Sequence, residues 1–445
     1  MESTSSNEIL IETAITIEDD GAVVASLEKK LLQEEPHFVT RKSCIFRVPA
    51  RIREIDDEAF IPKVVSIGPY HHKKLDQYEA MEKCKVYYLK HFLSHRPSIT
   101  LKDCVEMLKG LEEEARGCYA DNVDLTSDEF VEMMMLDGCF IVEYLLRWWK
   151  PELRDYQNSN EHPLLRFSYL TTMCVDDITL LENQLPFFVL EALFNLINNI
   201  SDSEKLWQVS FTGLALVIHY RRHADVYCNI SDEYKPIHLL DVSYGCYITS
   251  ECTKELCAIK WGTIPTATQL QEAGVKIMAA PKVTPLLNVK FENGILEIPG
   301  LIVNSRLKLR FQNMVALERC YYSGSYVLNY LRLVDHLIDT SSDVLLLKDR
   351  GIIINLFGDD EEVAEMFNNI GSSVVSTVYS QYTDLYEKLN HYYANPWRKW
   401  KAMLKRDYFN SPWSSIAFAA AAMVLIWTLI QTICTVIQTV KQFET

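Results

Sequence analysis

No G-x-G-x-x-G, Walker loop, G-x-S-x-G elbow, H-E-x-x-H or kinase signature occurs in this 445-residue sequence. Each of these motifs fixes a phosphate, a nucleophile or a metal in a set geometry, so the usual sequence routes to those chemistries are missing. Glycine and proline number only 15 each, and they gather into no linker that divides the chain and no low-complexity tract. Internal repeats are absent too. The twelve cysteines, at 44, 84, 104, 118, 139, 174, 228, 246, 252, 257, 320 and 434, include no C-x-x-C and no Cys/His cluster at zinc-finger spacing. A chain this long needs no dense disulfide framework, and the scatter points to reduced, mostly buried thiols. Basic residues are scarce as well: 44 Lys and Arg face 60 Asp and Glu, a net charge of −16. Such a surface repels a phosphate backbone, which excludes a general nucleic-acid binder.

The N-terminus lacks the basic and apolar regions of a secretory signal and the Arg-rich, acid-poor character of a transit peptide. Residues 1–35 carry nine acidic side chains against Lys29 and Lys30. Residues 1–43 therefore read as a flexible acidic tail.

The longest feature present is apolar. Ile416 to Val440 is a run of 25 residues without a charge. As a helix it extends about 37 Å at ~1.5 Å per residue, enough for a hydrocarbon core of ~30 Å. Residues 413–440 are thus assigned to a transmembrane anchor. Gln431 and Gln438 in its second half point to a helix partner or an interfacial position. Before it, Asn395-Pro396 reads as a helix start, and residues 395–412 as a basic amphipathic juxtamembrane helix. Trp397, Trp400, Leu404 and Tyr408 share one face, and Arg398, Lys399, Lys401, Lys405 and Arg406 supply charge for anionic lipid headgroups around 397–408. These five basic residues precede the anchor and only Lys441 follows it. The positive-inside rule then turns the bulk of the chain to the cytosol, at the plasma membrane or an endomembrane. An N-glycan at either sequon, Asn199 or Asn229, would reverse that orientation.

Between tail and anchor, residues 44–394 read as one mainly helical domain with a small β-hairpin insert. Helical periodicity covers 75–95, 101–117, 127–149, 177–198, 203–225, 306–339, 359–370 and 377–394. Pro186 either kinks its helix or begins a new one. Thr266 and Gln269 have capping-box spacing, with Gly274 as the stop. Asn293-Gly294, between two apolar runs over 284–304, predicts a tight hairpin.

Polar residues inside apolar surroundings are the remaining signal. Asp176, Asp177 and Glu182 stand in DDITLLENQLPFF, which reads as an amphipathic helix start whose acids favour the N-terminus, with Glu182, Asn183 and Gln184 satisfying buried backbone groups. Asp137, beside Gly138 in MMMLDGCF, reads as a buried hydrogen-bond hub. His71 and His72 are adjacent and cannot face one metal from a regular element. No cofactor or metal follows from any of these patterns.

These same stretches resemble the plant domain-of-unknown-function 247 family, also called uncharacterised protein family 0481. The resemblance rests on IFRVPARIREIDDEAFIPKVVSIGPYHH (45–72), LDGCFIVEYLL (136–146), DDITLLENQLPFFVLEAL (176–193), HLLD (238–241), ATQLQEAGVKI (267–277), VKFENGILEIPGL (289–301), FQNMVALERC (311–320) and WRKWKAMLKRDYFNSPW (397–413). It covers roughly residues 44–440 and implies a mostly helical plant protein with a terminal anchor, but no reaction. Association of some members with self-incompatibility in grasses implies recognition between partners, by analogy alone. Pro69, Tyr70, His71, Asp137, Glu182, Asn183 and Gln184 match its motifs and are the candidate site residues; the stretches around His71 and around Glu182 are read as architecture, lining one groove.

Two functions are consistent with this reading. The first is a membrane-tethered, non-enzymatic module that presents a helical domain to protein partners. The alternative is a membrane-bound enzyme with a buried carboxylate site built from Asp176, Asp177, Glu182 and His71.

Overall fold

The computed structural model describes residues 23–26, 29, 43–54, 56–72, 78–153, 168–198, 205–216, 234–248, 256–258, 260, 262–282, 284–372, 379–397, 400 and 412–443. The protein is mainly helical, with a few very short strands. The first half is a helical stack: α1 (Glu79–Ser94), α2 (Leu101–Gly117), α3 (Ser127–Trp149), α4 (Ser168–Asp177), α5 (Phe187–Asn198), α6 (Phe211–Ala215) and α7 (Leu239–Tyr247). Capping boxes start two of them. Thr100 and Asp103 close α2, and Thr126 and Glu129 close α3, each side chain bonding the other's backbone N–H. Helix α3 is buried almost all round from Phe130 to Arg147, so the other helices pack about it as a central post.

The second half alternates short strands with helices. α8 (Ala267–Glu272) begins in the expected Thr266–Gln269 capping box and ends before Gly274, whose φ is +90°. Strands β2 (Lys276–Ala279), β3 (Lys290–Glu292) and β4 (Ile295–Ile298) form one sheet in the order β2-β4-β3. The predicted hairpin is β3–β4, with Glu292 opposite Ile295 across Asn293 and Gly294 at φ 51° and 79°, the left-handed pair a two-residue turn demands. The insert is larger than the hairpin, because β2 pairs with β4 in parallel. Two further pairs exist. β5 (Leu301–Val303) runs parallel to β6 (Ile353–Asn355), and β1 (Cys257–Ala258) antiparallel to β7 (Tyr379–Ser380). Around them lie α9 (Ser305–Cys320), α10 (Tyr326–Leu337), α11 (Ser341–Asp349), α12 (Asp360–Ser372) and α13 (Thr383–Tyr393). The predicted helix over 306–339 is two helices, since α9 ends at Cys320 and α10 starts at Tyr326.

Two apolar cores result. One gathers α1 to α6 around Phe130, Phe140 and Phe194; the other gathers α8 to α13 around Phe311, Tyr330 and Phe367. Helix α7 serves both, with Leu239 and Val242 in the first and Leu240, Tyr244 and Tyr247 in the second. Segment 43–48 spans both, with Ile45 buried in the first and Val48 in the second.

Helix α14 (Pro412–Phe443) holds a stretch, Ile416–Gln438, that is long and apolar enough to cross a membrane, with mean hydropathy 2.1 and none of it buried by the rest of the protein. Its threonines are satisfied internally: Thr428, Thr432 and Thr435 each donate to the carbonyl four residues back at 2.8 Å. Of the juxtamembrane residues, Trp397 and Trp400 are exposed with ring centroids 6.0 Å apart. Arg398, Lys399, Lys401, Lys405 and Arg406 lie outside the described residues, as do both sequons and residues 217–225 of the predicted 203–225 helix.

The thiol reading needs one correction. Among the described residues nine cysteines stand outside any disulfide, six of them buried, but Cys246 is disulfide-bonded. Disulfide formation depends on spatial proximity, which scattered sequence positions do not reveal.

Candidate functional site

The candidate residues come together around one irregular stretch, residues 63–71, and among the described residues they are covered rather than open. His71, Asp137, Glu182, Asn183 and Gln184 are all buried, and Pro69 and Tyr70 half-buried. What brings them together is a turn that the sequence reading assigned to a helix. Helix α4 stops at Asp177, residues 178–183 turn, and α5 starts after Pro186. Asp176 and Asp177 therefore end a helix rather than open one. Their side chains are engaged elsewhere: Asp176 pairs with Arg306 at 3.2 Å. The Asp177 carboxylate accepts from the backbone N–H groups of Lys63 at 3.0 Å, Val64 at 2.7 Å and Val65 at 2.9 Å. Burial still pushes its pKa up to about 6 against those bonds.

Each residue of the turn does similar work. Asn183 Oδ1 accepts from Ile67 N–H at 2.7 Å, and its Nδ2 donates to Val65 O at 3.0 Å and Asp177 O at 2.9 Å. An amide side chain thus takes the place of a neighbouring strand for residues 65–67. Gln184 Nε2 donates to Ile178 O at 2.9 Å and Leu180 O at 2.6 Å, while its Oε1 accepts from Leu239 N–H at 3.0 Å, starting α7. Glu182 Oε1 accepts from Val48 N–H at 2.6 Å and from Arg53, and Oε2 stands 3.5 Å from His71 Nε2. Burial alone would raise the Glu182 carboxyl; the facing His71 ring and the bonds from Arg53 and Val48 outweigh it and hold the pKa below its ordinary value.

Asp137 reaches the stretch from α3. Its Oδ2 accepts from Gly68 N–H at 2.8 Å, and its Oδ1 pairs with Lys85 of α1. Gly68 has φ +72°, and a Cβ there would lie 2.5 Å from the carbonyl oxygen of Gln184. Only glycine fits both demands. Tyr70 donates to Ile45 O at 3.1 Å beneath the Arg47 guanidinium, 4.5 Å above its ring.

Sequence reasoning missed Lys85, Arg53 and Asn313. Lys85 is 1% exposed and donates to Ser66 O at 2.7 Å and Glu82 at 2.6 Å besides Asp137. Burial disfavours its charge, but Asp137 and Glu82 reverse that, so its pKa sits above the ordinary lysine value. A signal existed: Met81, Lys85, Tyr88 and Phe92 follow at steps of four, three and four, so one charge stands in an apolar stripe. Asn313, fully buried in α9, accepts from Leu181 N–H at 2.9 Å and donates to Ala59 O at 2.9 Å. It ties the turn to the second core.

The arrangement can hold backbone rigidly. Among the described residues it offers no nucleophile beside a base, and no group of three His, Cys, Asp or Glu is placed to hold a metal ion.

Residues 45–427 match the family described as plant protein of unknown function, DUF247. The chain belongs to this family. A UPF0481 protein of Arabidopsis thaliana is similar to the DUF247 chain at 29% identity, with 87% of this chain and 85% of the relative aligned. A putative UPF0481 protein of the same plant is 24% identical over 95% of each chain. No solved structure matches. Within this DUF247 chain the match begins at Ile45, where the described backbone enters the first core, and runs into the apolar helix.

Proposed function

We propose that the protein is a membrane-anchored, non-enzymatic interaction module whose helical domain faces the cytosol and binds protein partners. The carrying observation is that most polar residues of its motifs fix their own backbone, with Asp177, Asn183, Gln184 and Asp137 all bonded to main-chain groups, while His71 Nε2 and Glu182 Oε2 are buried and face each other at 3.5 Å. Catalytic carboxylates need a free face toward substrate; Asp177 and Asp137 have both oxygens engaged, and Glu182 is buried at 1% exposure. The exposed apolar helix supports the anchor, and Trp397 and Trp400, exposed beside each other, support an interfacial segment that rests on anionic headgroups.

The disulfide at Cys246 favours a second reading, in which the domain lies in an oxidising compartment. Protease protection on isolated membranes, with tags at both termini, separates the two. Digestion of the N-terminal tag in sealed, right-side cytosolic vesicles is the expected result. A protected N-terminal tag assigns the domain to the other side. Proximity labelling from the N-terminus is then expected to recover a reproducible partner set; recovery of bulk membrane proteins only would remove the interaction reading.

A further inference from the structure

We propose that Cys44 and Cys118 are a disulfide-forming pair that staples segment 43–48 to the end of α2, closed by exchange with a small-molecule disulfide such as glutathione disulfide. Their placement is set by backbone. Ile45 and Tyr119 form an isolated parallel bridge. Cys44 N–H and Ile45 N–H both donate to Cys118 O, at 2.8 and 2.9 Å, and Ala120 N–H returns to Ile45 O at 2.9 Å. One step back in that register sets Cys44 beside Cys118. Paired strands lie about 4.8 Å apart, inside the ~4.4–6.8 Å between Cα atoms that a disulfide spans. The two side chains interact, neither cysteine is in a disulfide, and they are 4% and 8% exposed. The Cys118 thiol also reaches Glu114 O at 3.5 Å.

The segment they would fasten is the strap across the two cores. Just beyond Cys44, Ile45 enters one core and Val48 the other, where its N–H meets Glu182. The neighbouring thiol and burial together push the Cys44 pKa up, so exchange is slow near neutral pH and quickens as pH rises. Stepwise, one cysteine loses its proton and its thiolate attacks a sulfur of glutathione disulfide. That breaks the S–S bond, releases one glutathione and leaves a mixed disulfide. The second cysteine, deprotonated in turn, attacks the protein sulfur of that mixed disulfide and releases the other glutathione. Two protein thiols are oxidised by two electrons, one glutathione disulfide is reduced, and the two protons end on the glutathiones.

The test uses the full chain purified in detergent, equilibrated with oxidised and reduced glutathione, alkylated and mapped by non-reducing peptide mass spectrometry. A linked peptide carrying Cys44 and Cys118 is expected, lost on reduction, absent from C44S and C118S and retained in C246S. The oxidised wild-type chain is expected to melt roughly 5 °C above the reduced one, and C44S to lose that difference. Cys246 serves as the internal control. If Cys44 and Cys118 both remain alkylatable in a sample whose Cys246 is oxidised, or if either stops at a glutathione adduct, the pairing is overturned. Should C44S fail to fold, the wild-type peptide map decides alone.

Discussion

Replacing Lys85 by methionine tests the buried hub most directly. Methionine keeps the length of the aliphatic stem in the stripe of Met81, Tyr88 and Phe92, so the packing term changes little. The charge term changes completely. The ammonium lies 2.5 Å from Asp137 Oδ1, 2.6 Å from Glu82 Oε1 and 2.7 Å from Ser66 O, and it and Asp137 are 2% and 3% exposed at their side chains. Its removal leaves the Asp137 carboxylate buried with one backbone bond, the Gly68 N–H. Breaking a buried pair from one side costs ~3–5 kcal/mol, whereas an exposed pair is worth about 1 kcal/mol or less. K85M is therefore expected to lose about 3–5 kcal/mol in urea unfolding of the full chain in detergent, followed by tryptophan fluorescence. D137N keeps an acceptor for Gly68 and removes the stranded charge, so K85M/D137N should recover roughly 1–3 kcal/mol of that loss. A K85M loss below about 1 kcal/mol, or a double variant no more stable than the additive sum, would refute the hub as a coupled ionic unit.

Three more outcomes are expected. G68A forces a Cβ into the Gln184 carbonyl at a positive φ and should lower stability by ~1–3 kcal/mol, whereas G110A, with open space around it, should be neutral or better; equal effects would show that the approach at Gly68 is dispensable. Burial raises the Glu318 carboxyl to about 7 from 4.5 despite bonds from Tyr244, Val327 and Leu328, so the folded chain holds a proton there that the unfolded chain has lost. Its contribution to stability is full below about pH 4.5 and falls as pH rises through about 7, by ~3 kcal/mol at most; E318Q should flatten that slope, and an unchanged slope would place it elsewhere. Alkaline carbonate should leave the full chain in the membrane pellet, and deletion of residues 416–438 should release it to the supernatant.

The regular parts of the fold were legible because their signals are local. The capping box of α8 and the Asn293-Gly294 turn each need only residues within a few positions. The candidate site was legible in residue type and misread in form. DDITLLENQLPFF carries helical periodicity, yet Asp177, Asn183 and Gln184 find better use in bonding main-chain groups far along the chain than in continuing a helix. Nothing within that window announces partners 55 to 116 positions away. Lys85 could have been singled out as a charge on an apolar stripe, although its partner in α3 could not. The disulfide at Cys246 and the neighbouring thiols of Cys44 and Cys118 likewise depend on chain crossings that spacing does not encode.

The turn after α4 has a temporal side. Residues 59–67 take their shape from groups that come far later in synthesis: Asp177 for 63–65, Asn183 for Ile67, and Asn313, 254 positions on, for Ala59. At a synthesis rate of about 5–20 residues per second, the early segment waits ~13–50 s for its last partner to be made. Until then the Ala59 carbonyl has only water, and the strap between the two cores has one core to hold. The nascent chain spends that interval with its first helices able to stack but their irregular link unfinished, so completion of the N-terminal half is an event of the C-terminal half's making.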